Sequence, residues 1–367
     1  MKQIEIILAI LTVVVAAILS SAPGWSDPQW SNFEPPPPPN DEGWISFPGG
    51  RDGTAKLWGR VALPDASSAD AAGGATPEKP PPVVVLAPGG GLSHDCGMGM
   101  APFVEAFVTE GYAVLTFDYA TFGASGNGDQ PRHTVDPVQH VLDLKAAVSA
   151  VRSRSKELGV DGDRIALWGV SLSGSHVLVA ASEEGGVGPP GVRAVCSLVP
   201  MLANGFSALT ESIPLNPRPF SSQAKILALI LKGMLLGIIG RPWYINFYGP
   251  DGSASAQQTP ENNNGYASLA PPGGGEYDWR NGMTSSSLFK LFPYNPLSHV
   301  ASIKVPVSLV AAGDDTICRE RYARSASEQI EGSELVVIPN VGHFGIWYGE
   351  PLEQVLDIQL NFLRRNL

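Results

Sequence analysis

The sequence predicts an α/β fold: a mostly parallel twisted sheet with helices on both faces and an inserted cap. Three observations carry that expectation. Short β-branched runs alternate with stretches of helical apolar spacing. A strand-to-helix turn around Ser171 is built from small residues, and the rhythm breaks once, at residues 201–299, before resuming.

Residues 6–19 are almost wholly apolar, preceded by Lys2 and followed by Ser20, Ser21 and Ala22, which reads as a signal peptide or a short signal anchor. The run is shorter than the roughly 20 residues of a spanning helix, which favours cleavage, whereas Pro23 directly after Ala22 opposes it. Lys2 precedes the run while Asp27, Glu34, Asp41 and Glu42 follow it, so the bulk of the chain is expected in the secretory pathway or outside the cytoplasm. Membrane contact is expected only through this segment, if it is uncleaved. Residues 34–40 are a polyproline stretch, a semi-rigid spacer, and residues 23–43 are read as a linker to a folded unit that starts at Trp44. No N-x-Ser/Thr sequon occurs.

Residues 44–47 and 55–63 read as a hairpin around Arg51-Asp52-Gly53, followed by an Ala/Gly/Pro-rich surface loop at 65–82. Residues 83–87 are a β-branched run suited to a buried parallel strand, ending in Pro88-Gly89-Gly90-Gly91. A helix is expected at 101–110, a strand at 113–117 and a loop at 118–126. A long helix at 135–158 is read from apolar positions Val138, Val141, Leu142, Leu144, Ala147, Val148 and Val151. The strand at 165–168, its turn and helix, and a strand at 194–199 complete the first half. Within 201–299, the apolar run 226–239 is broken by Lys232. It is too short to span a membrane and reads as a lid helix over a pocket, with Gly/Pro/Asn-rich loops at 248–275. Strands at 305–311 and 334–338 and helices at 319–330 and 351–365 finish the chain.

With 367 residues the chain can bury a large core in one domain. A net charge of −11 and a pI near 5.0 disfavour nucleic acid and anionic membrane surfaces as partners. Three cysteines give neither a disulfide framework nor a C-x-x-C spacing, and Cys196 reads as a small buried hydrophobe. No nucleotide, flavin or metal motif is visible, so no cofactor and no metal is expected.

The chemistry is read from Gly169-Val170-Ser171-Leu172-Ser173-Gly174. A serine on a sharp strand-to-helix turn is exposed as a nucleophile, with the following backbone N–H groups aimed at one point near the positive end of a helix. Small residues are needed where strand and helix approach, and Gly169 and Gly174 meet that need; Ser173 stands where glycine is usual and is the rival nucleophile. A serine needs a base and a group that orients the base. Asp314-Asp315-Thr316 follows the strand at 305–311, and Gly342-His343-Phe344 follows the strand at 334–338. Of the six histidines, His94 and His133 lie in earlier loops, His140 and His176 within helices, and His299 before the resumed sheet. Only His343 stands at the end of a late strand.

At this point the chain resembles the α/β-hydrolase superfamily, in the dienelactone-hydrolase-like branch that includes proteins labelled polyketide transferases. The resemblance spans residues 44–367. It rests on the loop DYATFGASG at 118–126, the elbow LWGVSLSGSH at 167–176, Trp279-Arg280-Asn281, Tyr294-Asn295-Pro296, Gly342-His343-Phe344 and the tail QLNFLRRNL at 359–367. It implies a Ser171 nucleophile, His343 as general base and then acid, and Asp315 as orienting carboxylate, with Asp314 the adjacent alternative. It further implies an oxyanion hole from the backbone N–H of Leu172 and one from the Gly89–Gly91 loop, most simply Gly90. Ser173 and Ser175 depart from glycines often found after the nucleophile, and Arg319 from a proline common after the acid. The implied activity is hydrolysis of a carboxylic ester or thioester through an acyl-enzyme, on a small acyl substrate with an apolar group. Acyl transfer or C–C cleavage on the same triad is the alternative within enzymes, and a silent binding fold is the alternative outside them. The sequence leaves the substrate and the oligomeric state open.

Overall fold

The computed structural model describes residues 24–38, 43–65, 80–90, 100–183, 185–204, 231–237, 239–250, 255–257, 260–269 and 279–367, with Ser207, Leu229, Ser253 and Tyr277. The expected leader, Gly91, His94 and Cys96 lie outside the described residues. Among the described residues, no helix is long and apolar enough to cross a membrane.

The β-branched runs become the centre of an eight-stranded sheet. Its strands are β1 (Trp44–Gly49), β2 (Ala55–Ala62), β3 (Pro82–Ala87), β4 (Ala113–Phe117), β5 (Asp161–Val170) and β6 (Val192–Leu198), joined after the cap by β10 (Val307–Ala312) and β11 (Glu334–Ile338). The order is β1-β2-β4-β3-β5-β6-β10-β11. The β1–β2 and β2–β4 pairs are antiparallel and every later pair is parallel. Strand β3 is buried at every position, as a strand covered on both faces must be. Because β3 and β5 are neighbours with their connections running to opposite sides, their carboxyl ends form the crevice of an open α/β sheet. Pro88 to Gly90 leave β3 there, and Ser171 leaves β5 there.

The helices hold that crevice rigid. The elbow helix Leu172–Ser182 is buried along almost its whole length against β5 and β6. The C-terminal helix Gly349–Asn366 meets β5 through Gln359, whose side-chain oxygen accepts from the Trp168 indole at 2.8 Å. The helix expected at 135–158 runs Pro137–Ser153, with a separate turn at Ser155–Leu158. Its buried face differs from the apolar reading: Val138 and Leu142 face solvent, while Gln139, His140 and Asp143 are buried. Polar partners explain the exchange. Asp143 accepts from the Gly50 and Ala120 amides, and the His140 ring stacks on Tyr119 at 4.2 Å.

The inserted segment carries its own small sheet, β8-β7-β9, formed by Ser255–Gln257, Tyr244–Tyr248 and Met283–Thr284. Residues 231–237 of the expected lid helix are helical, and Lys232 lies over the Trp243 ring at 3.5 Å. The loops expected at 248–275 are corrected in part: a helix occupies Pro260–Leu269. Three asparagines and a glycine give it little intrinsic helix propensity, so tertiary contacts must hold it.

The residues before Trp44 also differ from a free spacer. Asp27 caps the short helix Pro28–Ser31 and pairs with Arg280 at 2.9 Å. Trp25 stacks on Tyr244 of β7, and Trp30 is buried between Tyr244 and His133. This stretch is part of the folded unit. Trp30→Ala is expected to cost about 3–5 kcal/mol of stability, the usual range for truncating a buried Trp. The denaturation midpoint of the full chain measures it, and an unchanged midpoint contradicts the packing.

Candidate active site

Ser171 holds φ 56° and ψ −118°, a left-handed conformation that an L side chain adopts only under constraint. Two backbone bonds to the neighbouring strand impose it: Ser171 N donates to Leu198 O, and Met201 N donates to Ser171 O, both at 2.9 Å. A Cβ at Gly169 would overlap the Ser173 carbonyl, and one at Gly174 would stand 3.0 Å from Pro200 Cα. Gly169 is therefore required by close approach, and Gly174 sits where a side chain would be tight. The turn aims the Ser171 hydroxyl out of the sheet, 3.9 Å from Cys318 Sγ.

The serines that replace glycines are bound elsewhere. Ser173 is buried, its hydroxyl donating to Pro88 O and sharing a 2.8 Å bond with the Tyr119 hydroxyl. Ser175 donates to Leu172 O at 2.5 Å and contacts Tyr294, whose hydroxyl meets His176 Nδ1 at 2.7 Å. Ser173 is thus a tie between the elbow and the β3 loop, turned away from the cleft. The loop at 118–126 is equally structural. Asp118 accepts from Ala124 N, Ser125 donates to Asp118 O, and buried Arg132 donates to Ser125 O.

Asp315 and His343 meet under the elbow. Asp315 is buried; one carboxylate oxygen accepts from the Ile317 and Cys318 amides at 2.7 and 2.6 Å, and the other lies 2.7 Å from His343 Nδ1. Its neighbour Asp314 is exposed, its amide donating to Val341 O. Of the two, Asp315 is the one brought to the imidazole. Burial alone pushes the His343 pKa down, but the Asp315 charge and hydrogen bond, with Cys318, outweigh it and the net direction is well above 6.5. Cys318 bonds to the same imidazole, and burial holds its thiol above the ordinary range and so protonated. Asp315, Cys318 and His343 form a compact group of buried ligand-type atoms.

The Leu172 amide opens a helix and has no acceptor within it, so it is free to face the cleft. Gly90 packs against Leu172, where an added Cβ would be 3.1 Å from the leucine side chain. Gly90, Leu172 and Ser171 line the same cleft. The cleft holds a cavity of about 80 Å³ and opens to solvent. Its walls include Leu172, Met201, Phe247, Tyr266, Leu291 and Ile317, with Gln257 as a polar side chain.

Two residues at this site escaped the sequence reading. Cys318 carried only its spacing as a signal: it is the third residue after Asp315, whose carboxylate accepts from its amide, and it is buried. Glu261 carried no signal: it comes from the cap helix and accepts from the His343 amide, the Thr316 amide at 3.2 Å and the Thr316 hydroxyl.

The profile of the alpha/beta hydrolase family matches residues 84–358, covering all the strands from β4 to β11 and every residue of this site. The chain belongs to the alpha/beta hydrolase family. This alpha/beta hydrolase is 31% identical over 276 residues to the quorum-quenching protein AidA of Acinetobacter baumannii, covering 75% of this chain and 84% of that one. It is 28% identical over 269 residues to the polyketide transferase af380 of Aspergillus fumigatus, covering 71% and 82%. The fold is that of the alpha/beta hydrolase GrgF from a Penicillium species, with a TM-score of 0.66, 22% identity and coverage of 88% of this chain and 98% of that one. The similarity to af380 bears out the resemblance to the polyketide-transferase-like branch.

The histidines separate by environment. Burial, and for His133 the Arg132 charge, lowers His133 to about 3; burial lowers His140 to about 4 and His176 well below 6.5. An NMR titration is expected to show these three rings neutral from about pH 5 to 8, with His343 alone among the four titrating above 6.5. Titration of His343 below 6.5 contradicts the pairing with an ionised Asp315.

Proposed function

We propose that this alpha/beta hydrolase cleaves a carboxylic ester or thioester through an acyl-enzyme on Ser171. The observation that carries the reading is the constrained Ser171 elbow, whose hydroxyl lies 3.9 Å from the Cys318 sulfur that contacts the imidazole of a buried Asp315–His343 pair. The Ser171 hydroxyl turns from Cys318 to His343 Nε2, taking the place of the Cys318 thiol there, and attacks the acyl carbon, its proton passing to the imidazole. The carbonyl oxygen takes up the negative charge and the Leu172 and Gly90 amides stabilise it. Collapse expels the alcohol or thiol, which receives the proton from His343. Water then attacks the acyl-enzyme, gives its proton to His343, and the acid leaves as the proton returns to Ser171. Asp315 holds the imidazole in the tautomer with Nδ1–H and stabilises the imidazolium.

The apolar walls of the cleft support a neutral acyl group as substrate, since their described side chains offer no cation to hold an anionic one. Acyl transfer is the second reading, supported by the af380 relative and by a cap-covered cleft in which an acceptor could outcompete water.

Fluorophosphonate labelling of the full chain tests the nucleophile. Labelling is expected to vanish in Ser171→Ala and to persist in Ser173→Ala; retention in Ser171→Ala overturns the assignment. Asp315→Asn is expected to lower kcat by roughly 10⁴-fold through the wrong tautomer, with Asp314→Asn nearly unchanged. Because the base must be neutral, kcat/KM should rise with pH through the raised His343 value, so its acid limb lies above pH 6.5.

A further inference from the structure

We infer that Glu261 is a positioning residue by which the cap aligns the triad, an inference that rests on the serine-hydrolase reading above. The acid and the base stand on separate loops, after β10 and β11, and the Asp315–His343 bond depends on their register. One carboxylate from the cap spans both. One oxygen of Glu261 accepts from His343 N, and the other accepts from Thr316 N and Thr316 Oγ1. The donors sit on the base itself and on the residue directly after the acid. Gly342 is part of the fit, since a Cβ there would lie 2.5 Å from the Glu261 carboxylate.

The helix that carries Glu261 also touches the base loop and the cleft. A Cβ at Gly265 would overlap the Phe344 ring, and Tyr266 meets the same ring edge-on at 5.0 Å. Tyr266 also lines the cleft beside Ser171. An acyl group resting on Tyr266 therefore presses on the element that holds His343. Seating of the cap and alignment of the triad become one event, and a displaced cap leaves two loop amides without their acceptor. A fold-stabilising tie alone would not place its acceptor atoms on the base and on the neighbour of the acid.

Glu261→Ala removes the acceptor for both loops. Glu261→Gln keeps one carbonyl acceptor but turns an NH₂ toward the remaining donors, so it releases one loop and preserves the helix. Misalignment on the scale of 1 Å costs about 100-fold in rate. The expected result is a kcat loss approaching that in Glu261→Ala, a smaller loss in Glu261→Gln, and KM within about threefold, since the lining is untouched. The decisive readout needs no substrate: the far-downfield proton resonance of His343 Nδ1–H, present in wild type, is expected to broaden or vanish in both variants while the amide spectrum of the sheet stays native. A resonance unchanged in Glu261→Gln overturns the inference, even if Glu261→Ala fails to fold. Wild type that shows the resonance but resists fluorophosphonate defeats the serine-hydrolase reading instead, while the variants still decide the positioning role.

Discussion

Ser171 occupies a backbone conformation that costs on the order of 1–3 kcal/mol, and the centre of the molecule is arranged to hold it there. The turn is pinned to the end of β6 and the residues after it by the bonds at Leu198 and Met201, and compressed so tightly that Gly169 admits no side chain and Gly174 leaves little room for one. The buried strands β3, β5 and β6 give those anchors their rigidity. The turn sets Ser171 on the wall of the crevice, directly before the first residue of the elbow helix.

Ser173 shows how a departure from the usual glycine is accommodated. Its hydroxyl bridges Pro88 O and the Tyr119 hydroxyl, joining the elbow to the glycine loop on one side and to the loop at 118–126 on the other. The elbow that carries Ser171 and the loop that carries Gly90 are thus tied by side chains as well as by the sheet. Ser175 and Tyr294 extend the network to His176. Buried polar groups of this kind are satisfied by one arrangement only, which favours a single geometry at the elbow.

The sheet was legible because its central strands are short apolar runs bounded by glycine and proline, and because the order Ser171, Asp315, His343 fixes which loops must converge. The cap was not. Pro260–Leu269 has the composition of a loop and becomes helical through contacts made by Glu261, Gly265 and Tyr266, all distant in sequence. The same reason hid Glu261, whose role exists only after folding. Trp30 was obscured by the polyproline beside it, which reads as a spacer although the tryptophan is buried. Val138 and Leu142 matched a helical period yet face solvent, because His140 and Asp143 have partners on the buried side.

Cys318 sharpens the question of where the acyl group resides, since its sulfur lies 3.9 Å from the Ser171 hydroxyl and against the same imidazole. The most direct measurement is peptide mass mapping after the full chain is mixed with a p-nitrophenyl acyl ester and quenched in acid during the burst. The acyl mass is expected on the peptide containing Ser171, rising with the released p-nitrophenolate. An acyl mass on the peptide containing Cys318, or turnover with no acylated peptide, would contradict the Ser171 assignment.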